Sequence, residues 1–595
     1  MEVSGNPLLA SSDEEREKLY RQLISPDAVI AEKDLFNIAR VMVDNGRRYP
    51  DRLCMSFAGG VTCTFAQMLA LASDIYTVLK ERGLKEEDRL LATMKPGVVF
   101  YATVIAAWAL GLVIVLIDKG NFKSITKVNH CLTLAKPKAW LRIGTEFWYT
   151  KWIFSSIRAI PMLIELPTGI SGPFLSPDAR HLLSADDVCS ARNALVTFTS
   201  GSTGLPKMIL REHSFVMKQV LSIMACDFDA QQRDLNPAGR TPLLGEMVNL
   251  TNLPVGALVF IAIGAPCILE TDILGSNVDE ILRRCRSAKQ TTGRQHCSCI
   301  GSPAFLQRIV QHCIATKQDV PITIGHTGGA PIYSRLNTLL HGNTKSCFAI
   351  YGSTEAEPIS SIGTWEKIQR EAAARKIASS LGGHCVGKPH FPGSLAIIKQ
   401  HDGQIPDDVV LEDLQLDCGQ AGEVVLRGWS VNMHEVPRKR FLFDRQGRKW
   451  LRMDDGAYLD KDGYVWVVGR MTWKVERDGR EFWSVIVEEK MMSQCSLITY
   501  ATYMKRDGKA HLFIEAPNGL PESELESLKQ CIKRDGIPVD SFRVMTEIPR
   551  DARHASKPNT AALFASSWSS SWQPFMLVLL VIALLVLVIT MLRMT

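Results

Sequence analysis

Thr197-Phe-Thr-Ser-Gly-Ser-Thr-Gly-Leu-Pro-Lys207 follows directly on the apolar run Ala194-Leu195-Val196. Short hydroxyl side chains alternate with glycine between that run and a lysine. Gly201 and Gly204 let the backbone turn through positive φ and come close to a ligand. Successive N–H groups in such a turn form an anion-binding concavity. Thr199, Ser200, Ser202 and Thr203 add short donors, Lys207 adds a mobile point charge, and Pro206 stiffens the exit. The stretch has what a loop needs to hold the phosphates of a nucleotide. A Ser/Gly surface loop is the plainer alternative.

Outward from this loop, helix-like and strand-like segments alternate. Residues 66–81 have amphipathic helical spacing and 98–110 read as a helix, while 89–93, 113–117, 194–198, 266–270 and 347–350 read as strands. Such alternation predicts α/β layers with mostly parallel sheets. Residues 423–427, 457–460 and 465–468 read as antiparallel strands, with Asp462-Gly463 as a turn. The expected divisions are a charged, loosely held helical lead-in (1–35), a large domain (36–468), a smaller α+β unit (469–565), a Ser/Trp-rich linker (566–573) and an apolar C-terminal segment (574–594).

That segment is expected to be a transmembrane helix. Residues 575–592 carry no charge, and only Thr590 is polar. As a helix they would span about 27 Å, enough for a hydrocarbon core. Trp568 and Trp572 precede them, at headgroup level in that picture. A buried core helix is the alternative, but no face of the run is polar. The expectation is a single-pass C-terminal membrane anchor with the catalytic part in the cytoplasm. A second apolar run, 98–117, breaks at Gly111 and turns from Ala-rich to β-branched, which reads as a buried helix and then a buried strand. The N-terminus lacks the basic and apolar regions of a signal peptide.

At 595 residues there is room for about two to four domains. A chain 46% hydrophobic and 22% charged is not disordered. The net charge of +6 is spread thinly, with no dense Lys/Arg stripe, so nucleic acid is not an expected partner. The fifteen cysteines form no CxxC pair, and nothing near His296-Cys297-Ser298-Cys299 completes a zinc set. An odd number of scattered cysteines suits a reducing compartment.

Further stations follow the first loop. Gly328-Gly329-Ala330-Pro331 comes after Ile322-Thr-Ile324, which reads as an apolar strand, and Gly-Gly allows close approach to a flat ligand. Tyr351-Gly-Ser-Thr-Glu355 sets an aromatic face, a hydroxyl and a carboxylate within five residues. Met453-Asp454-Asp455, Gly469-Arg470 and Ile548-Pro-Arg-Asp-Ala-Arg-His-Ala-Ser-Lys557 complete the series. Taken singly, these are ordinary turns, a hairpin carboxylate and a linker lysine. The first loop is no Walker A motif, because Lys207 follows Gly204 by three residues and Met208 stands where Ser or Thr would hold magnesium.

The string TSGSTGLPK closely resembles the signature loop of the adenylate-forming (AMP-binding) superfamily, which includes acyl-CoA ligases, luciferases and peptide-synthetase adenylation domains. The order of the later stations resembles that family too, over roughly residues 36–565. The resemblance implies a large domain of mixed parallel sheets layered with helices and a smaller, mobile α+β domain. It implies that residues Thr199 to Gly204 and Lys207 hold the phosphates of ATP, that Gly328, Gly329, Ala330 and Pro331 line the adenine, and that Tyr351 stacks on it. Thr354 would touch the α-phosphate and Glu355 hold Mg2+. Asp455 would take both ribose hydroxyls, Arg470 would reach ribose and phosphate, and Lys557 would reach the α-phosphate and the acyl carboxylate.

This chain departs from the family in several places. The family usually has glycine where Met208, Asp454 and Ser556 stand, and Asp or Lys at the hinge, here Trp473. Gly479-Arg-Glu-Phe-Trp483, with Arg553-His554-x-x-Lys557, looks more like the branch containing olefin-type β-lactone synthetases. Three functions stay open. The first is an acyl-CoA ligase that activates a fatty acid with ATP and Mg2+ and uses coenzyme A. The second is a lactone synthetase that closes a β-hydroxy acid on itself. The third is a catalytically silent acyl-binding relative or membrane scaffold. Residues 252–260, apolar apart from Asn252, are expected beside the acyl pocket. The sequence does not indicate an oligomeric state.

Overall fold

The computed structural model of the chain describes residues 2–564 except 4–5, 11–12, 24–28, 32–34, 119, 145–149, 170–171, 201–204, 234–243, 273–274, 378–380, 435 and 552–555. Two mixed sheets make the body of the molecule. The first runs in the order Pro206–Glu212, Asn193–Ser200, Val113–Val115, Arg89–Ala92, Ala139–Ile143, Met162–Leu166. All its pairs are parallel except the first. The second sheet is parallel from Ser346–Ser353 through Ile324–Gly328, Cys297–Gly301, Val248–Thr251 and Cys267–Leu269 to Leu53–Ser56. Its edges, Ala356–Gly363 with Lys388–Pro389 and Thr62–Thr64, are antiparallel. Val113–Val115, a continuous apolar run, is buried at every position, as expected where helices cover both faces. Val248–Thr251 is equally buried although Asn249 and Thr251 are polar, and Asn249 donates to the carbonyls of Leu244 and Met247.

Helices close the layers. Phe65–Glu81 begins with a capping box in which Thr64 and Gln67 satisfy each other's backbone N–H. Val98–Ala109 is buried along its whole length, and Trp108 Nε1 donates to Ala194 O at 2.8 Å. That bond locks the helix to the strand leading into the Ser/Gly loop. Gly111, at φ 80°, then turns the chain into Val113–Val115. The 98–117 run is thus a buried helix followed by a buried strand.

A third, antiparallel sheet joins His384–Cys385, Val465–Arg470, Lys449–Leu459, Gly422–Leu426 and Leu395–Ile398, with Phe441–Phe443 alongside Lys449–Leu459. After Met471–Trp473 come a short hairpin, the helix Ser484–Gln494, and a sheet of Tyr500–Arg506, Lys509–Glu515 and Ser541–Met545 backed by Glu522–Arg534. This last unit has an apolar cluster of its own around Met491, Tyr503, Leu512 and Leu528. It is tied to the body through Arg335, whose guanidinium donates to the carbonyls of Met492, Cys495, Ser496 and Ile498 at 2.7–3.1 Å. An arginine on the last carbonyls of a helix satisfies orphan acceptors and opposes the helix dipole.

Three expectations need correction. The transmembrane helix over 574–594 is withdrawn. Among the described residues no helix is long and apolar enough to cross a membrane, and 565–595 lie outside them. The most apolar helices, Val98–Ala109 and Pro254–Ala262, would reach only about 18 and 14 Å against a hydrocarbon core of about 30 Å. With that helix go the single-pass anchor and the membrane as a partner; the α/β multi-domain fold remains. The lead-in is not loosely held. Leu19, Tyr20 and Leu23 of Asp13–Leu23 are buried in the main core, because three apolar side chains share one face of an otherwise charged helix. The strand expected at 322–324 instead runs Ile324–Gly328, so Gly328 lies within it.

Candidate active site

Asn193–Ser200 and Pro206–Glu212 form a hairpin in which Lys207 pairs with Thr199 and Pro206 with Ser200. The described residues on either side of the Ser/Gly stretch are therefore paired antiparallel at the edge of the first sheet. Gly201, Ser202, Thr203 and Gly204 lie outside the described residues, as do the side chains of Thr199 and Ser200. Lys207 is exposed. Arg211, in the returning strand, is buried; it donates to Thr197 Oγ1 at 2.6 Å and to Thr354 O at 3.4 Å. It ties the hairpin to the second sheet across the site. An arginine inside Met-Ile-Leu-Arg, otherwise apolar, was the signal the sequence offered for it.

Ile324–Gly328 and Ser346–Ser353 are parallel neighbours, and Gly328, the last residue of the first, lies opposite Ile350, three residues before the end of the second. A Cβ on Gly328 would stand 2.4 Å from Ile350 O, so only glycine allows the strands to approach here. Gly329 follows at φ 85°, in the left-handed region. Ala330 and Pro331 continue, half-buried. Ligands of open α/β sheets bind outside the carboxyl ends of the strands, where these residues lie.

Tyr351 extends from the same strand end and donates its hydroxyl to Asp455 Oδ2 at 2.8 Å. Asp455 sits opposite Arg470 in the third sheet, and its Oδ1 is 3.0 Å from Arg470 Nη1. Burial, and then the neighbouring carboxylate, push the Tyr351 phenol well above its ordinary range, so it stays a donor. Asp455 holds the guanidinium of Arg470 more firmly charged than usual. Both carboxylate oxygens are oriented yet each keeps a lone pair for a further donor. Next to it, Asp454 adopts φ 61°, and burial raises its carboxyl to about 6. Thr472 donates to it at 3.3 Å.

Thr354 and Glu355 form the turn into Ala356–Gly363. Ser353 Oγ accepts from the Glu355 N–H at 3.3 Å, and Glu355 O accepts from the Asn432 N–H at 2.7 Å. Glu355 Oε1 faces Arg440 Nη1 at 3.1 Å. Among the described residues no three His, Cys, Asp or Glu side chains gather as a metal cage. Glu355 as one hard, partly exposed carboxylate fits magnesium, an ion usually held by one or two carboxylates together with phosphate oxygens.

Lys557 closes a tight loop: its N–H donates to Asp551 Oδ1 at 2.9 Å and its carbonyl accepts from the Asp551 N–H at 2.8 Å. Tyr500 donates to Ser556 O at 3.2 Å, and its ring meets Tyr333 edge-on at 5.8 Å. Tyr333 is two residues beyond Pro331 and donates to Glu488 Oε2 at 2.7 Å. The loop of Lys557 thereby stands beside the segment that carries Gly328 to Pro331. Trp473 packs against Met504, Phe513, Ile548 and Leu563.

Tyr351, Asp455 and Arg470 are thus in direct contact, and Thr354 and Glu355 are joined to the same region by Arg211 and Arg440. No described contact brings Lys207 or Lys557 onto them. Arg440, absent from the sequence-based set, lies in Pro437-Arg-Lys-Arg440, which reads as solvated surface.

Residues 42–433 match the AMP-binding enzyme family. The chain is similar to an olefin beta-lactone synthetase of Xanthomonas campestris pv. campestris, 26% identical over 482 residues, which are 74% of this chain and 80% of that one. It is also similar to a 2-succinylbenzoate–CoA ligase of Geobacillus kaustophilus, 23% identical over 444 residues, 75% of this chain and 80% of that one. Among solved structures it resembles an amide bond synthetase of Marinactinospora thermotolerans, with a TM-score of 0.66 and 17% identity, covering 88% of this chain and 98% of that one.

Proposed function

The chain belongs to the AMP-binding enzyme family and is an AMP-forming acid ligase; from that premise we propose that it activates a hydrophobic, fatty-type carboxylic acid with ATP and passes the acyl group on. The observation that carries this is the contact of Tyr351 with Asp455 and of Asp455 with Arg470, at the carboxyl end of the parallel strands. Asp455 has lone pairs left for two ribose hydroxyls, Tyr351 offers adenine a flat face, and the Gly328–Gly329 backbone lets the base lie close. Residues Thr199 to Gly204 and Lys207 are assigned to the triphosphate. The helix Pro254–Ala262, apolar throughout and buried from Ala257 on, supports an apolar acyl group.

An oxygen of the acid attacks the α-phosphorus of ATP, the bond to the bridging oxygen breaks, and pyrophosphate leaves with the electron pair. Two anions must be aligned and the growing charge spread, so catalysis rests on positioning and electrostatics. The Thr354 hydroxyl is assigned to the α-phosphate. Lys207, with the donors of Thr199 to Gly204, takes the leaving pyrophosphate. Lys557 comes onto the acyl oxygen and α-phosphate when its loop moves in from beside Tyr500. Magnesium, held by Glu355 and the phosphates, would add positive charge opposite the leaving group.

For the acceptor, the thiol of coenzyme A attacking the acyl carbonyl, with AMP leaving, is the first reading. A second is favoured by a specific observation: Trp473, at the hinge position, is seated in an apolar cluster where a charged residue would be solvated. A hinge held in this way suits closure of a β-hydroxy acid onto its own carbonyl, the reaction named in the Xanthomonas relative. Incubating the full-length protein with ATP, magnesium and a panel of fatty and β-hydroxy acids separates them. Thioester formed only with coenzyme A supports the first, and lactone formed without it supports the second. Absence of pyrophosphate release across the panel defeats both.

A further inference from the structure

Arg440 lies in a run rich in basic residues, yet the other arginines of that run are spent on carboxylates away from the site. Arg438 pairs with Asp407, Arg445 with Asp413 and Arg448 with Asp444. Arg440 alone in that run is turned onto Glu355. Its Nη2 donates to Arg452 O at 3.0 Å, and Arg452 is fixed by two bonds to Glu423 and by the carbonyls of His401 and Gly403. The guanidinium is therefore held on a braced strand that carries Asp455 three residues further on. A guanidinium has five N–H donors in a planar fork. Two of them are engaged by Glu355 and Arg452. The side chains of Arg440 and Glu355 are 24% and 16% exposed, so the pair opens to solvent where a ligand could reach it.

Resting on the assignment of Glu355 to the magnesium site, we propose that Arg440 is a second phosphate-site cation that occupies the Glu355 carboxylate until nucleotide and metal arrive together. One carboxylate shared by two cations is unfavourable unless further negative charge joins them. The triphosphate supplies that charge and can accept from the donors Arg440 still has free, in the planar manner that suits guanidinium and phosphate. Metal alone must displace or crowd Arg440. Metal with nucleotide need not, and by linkage each tightens the other.

Manganese(II) binding to the full-length protein, followed by electron paramagnetic resonance with and without ATP and in the absence of acid, tests this. Wild type should take manganese at least about tenfold more tightly with ATP than alone. Arg440→Gln should bind manganese alone more tightly than wild type and ATP about tenfold more weakly, the loss expected for a charge-assisted bond. Arg440→Lys should keep the competition for manganese and still lose ATP affinity, because a point charge lacks the fork. Melting curves confirm that both variants are folded. If wild type binds ATP but both variants match it for metal and nucleotide, the proposal is overturned and the ligase assignment stands. If wild type binds no ATP with manganese, both are overturned.

Discussion

Asp455 and Arg470 face each other across an antiparallel strand pair, with Oδ1 of one 3.0 Å from Nη1 of the other. Tyr351 reaches the second carboxylate oxygen from a different sheet. The carboxylate is thus fixed before any ligand arrives, and fixed from both sides of a sheet boundary. Asp455→Asn should weaken ATP binding by about a hundredfold, since it removes a charge partner and one acceptor. Tyr351→Phe keeps the ring but frees one oxygen, and should cost about tenfold. Calorimetric titration of ATP reads both; unchanged affinity in either variant would remove that residue from the nucleotide site.

Asp454 holds a left-handed backbone where glycine is at no disadvantage, and its carboxyl is raised to about 6 by burial. Asp454→Gly should stabilise the protein by about 1 kcal/mol at neutral pH from the backbone alone. Asp454→Asn isolates the charge. A raised carboxyl costs nothing below pH 3.8, where folded and unfolded chains are both protonated. The cost grows from there to about pH 6 and is complete above it. The gain from Asn should therefore appear between those values and then level off. A gain that is flat with pH in chemical denaturation would contradict this.

Glu488 is buried, accepts from the Tyr333 hydroxyl and the Tyr503 N–H, and is pushed up to about 7 by burial. The folded protein keeps this proton between pH 4.5 and 7, where the unfolded chain has released it. Stability should fall across that window by about 3 kcal/mol and then stay level. Glu488→Gln should abolish that part of the slope while keeping a neutral acceptor for Tyr333. Thermal midpoints at pH 5 and pH 8 measure it; an equal drop in the variant would show that Glu488 is not the source.

The order of stations along the chain was legible. Glycines after an apolar run, an aromatic with an acid four residues on, and a carboxylate fourteen residues before a Gly-Arg are ordinary turns taken singly; their order, which resembles that of the adenylate-forming family, is what made them readable. Their meeting was not legible from spacing. Asp455 and Tyr351 come together only because the third sheet closes over the end of the second. Arg211 and Arg440 were missed for the same reason. A buried arginine whose partners are a threonine on the neighbouring strand and a carbonyl of the other sheet looks, in sequence, like any edge-strand residue. A basic triplet looks like solvated surface until one member turns inward. The lead-in helix misled in the opposite way, since its charges outnumber the three side chains that bury it. The expected membrane span drew on an uncharged run with no polar face and on the tryptophans before it, and that run lies outside the described residues, among which no helix is long and apolar enough to cross a membrane.

The central claim is that this chain makes an acyl-adenylate, and acid-dependent exchange of labelled pyrophosphate into ATP by the full-length protein tests it most directly. The account predicts exchange that requires both magnesium and a hydrophobic acid. It predicts a loss of at least about a hundredfold in Lys557→Ala, with ATP affinity in that variant within about twofold of wild type. A folded wild-type protein with no measurable affinity for ATP or AMP in the presence of magnesium, and no exchange with any acid offered, would contradict it.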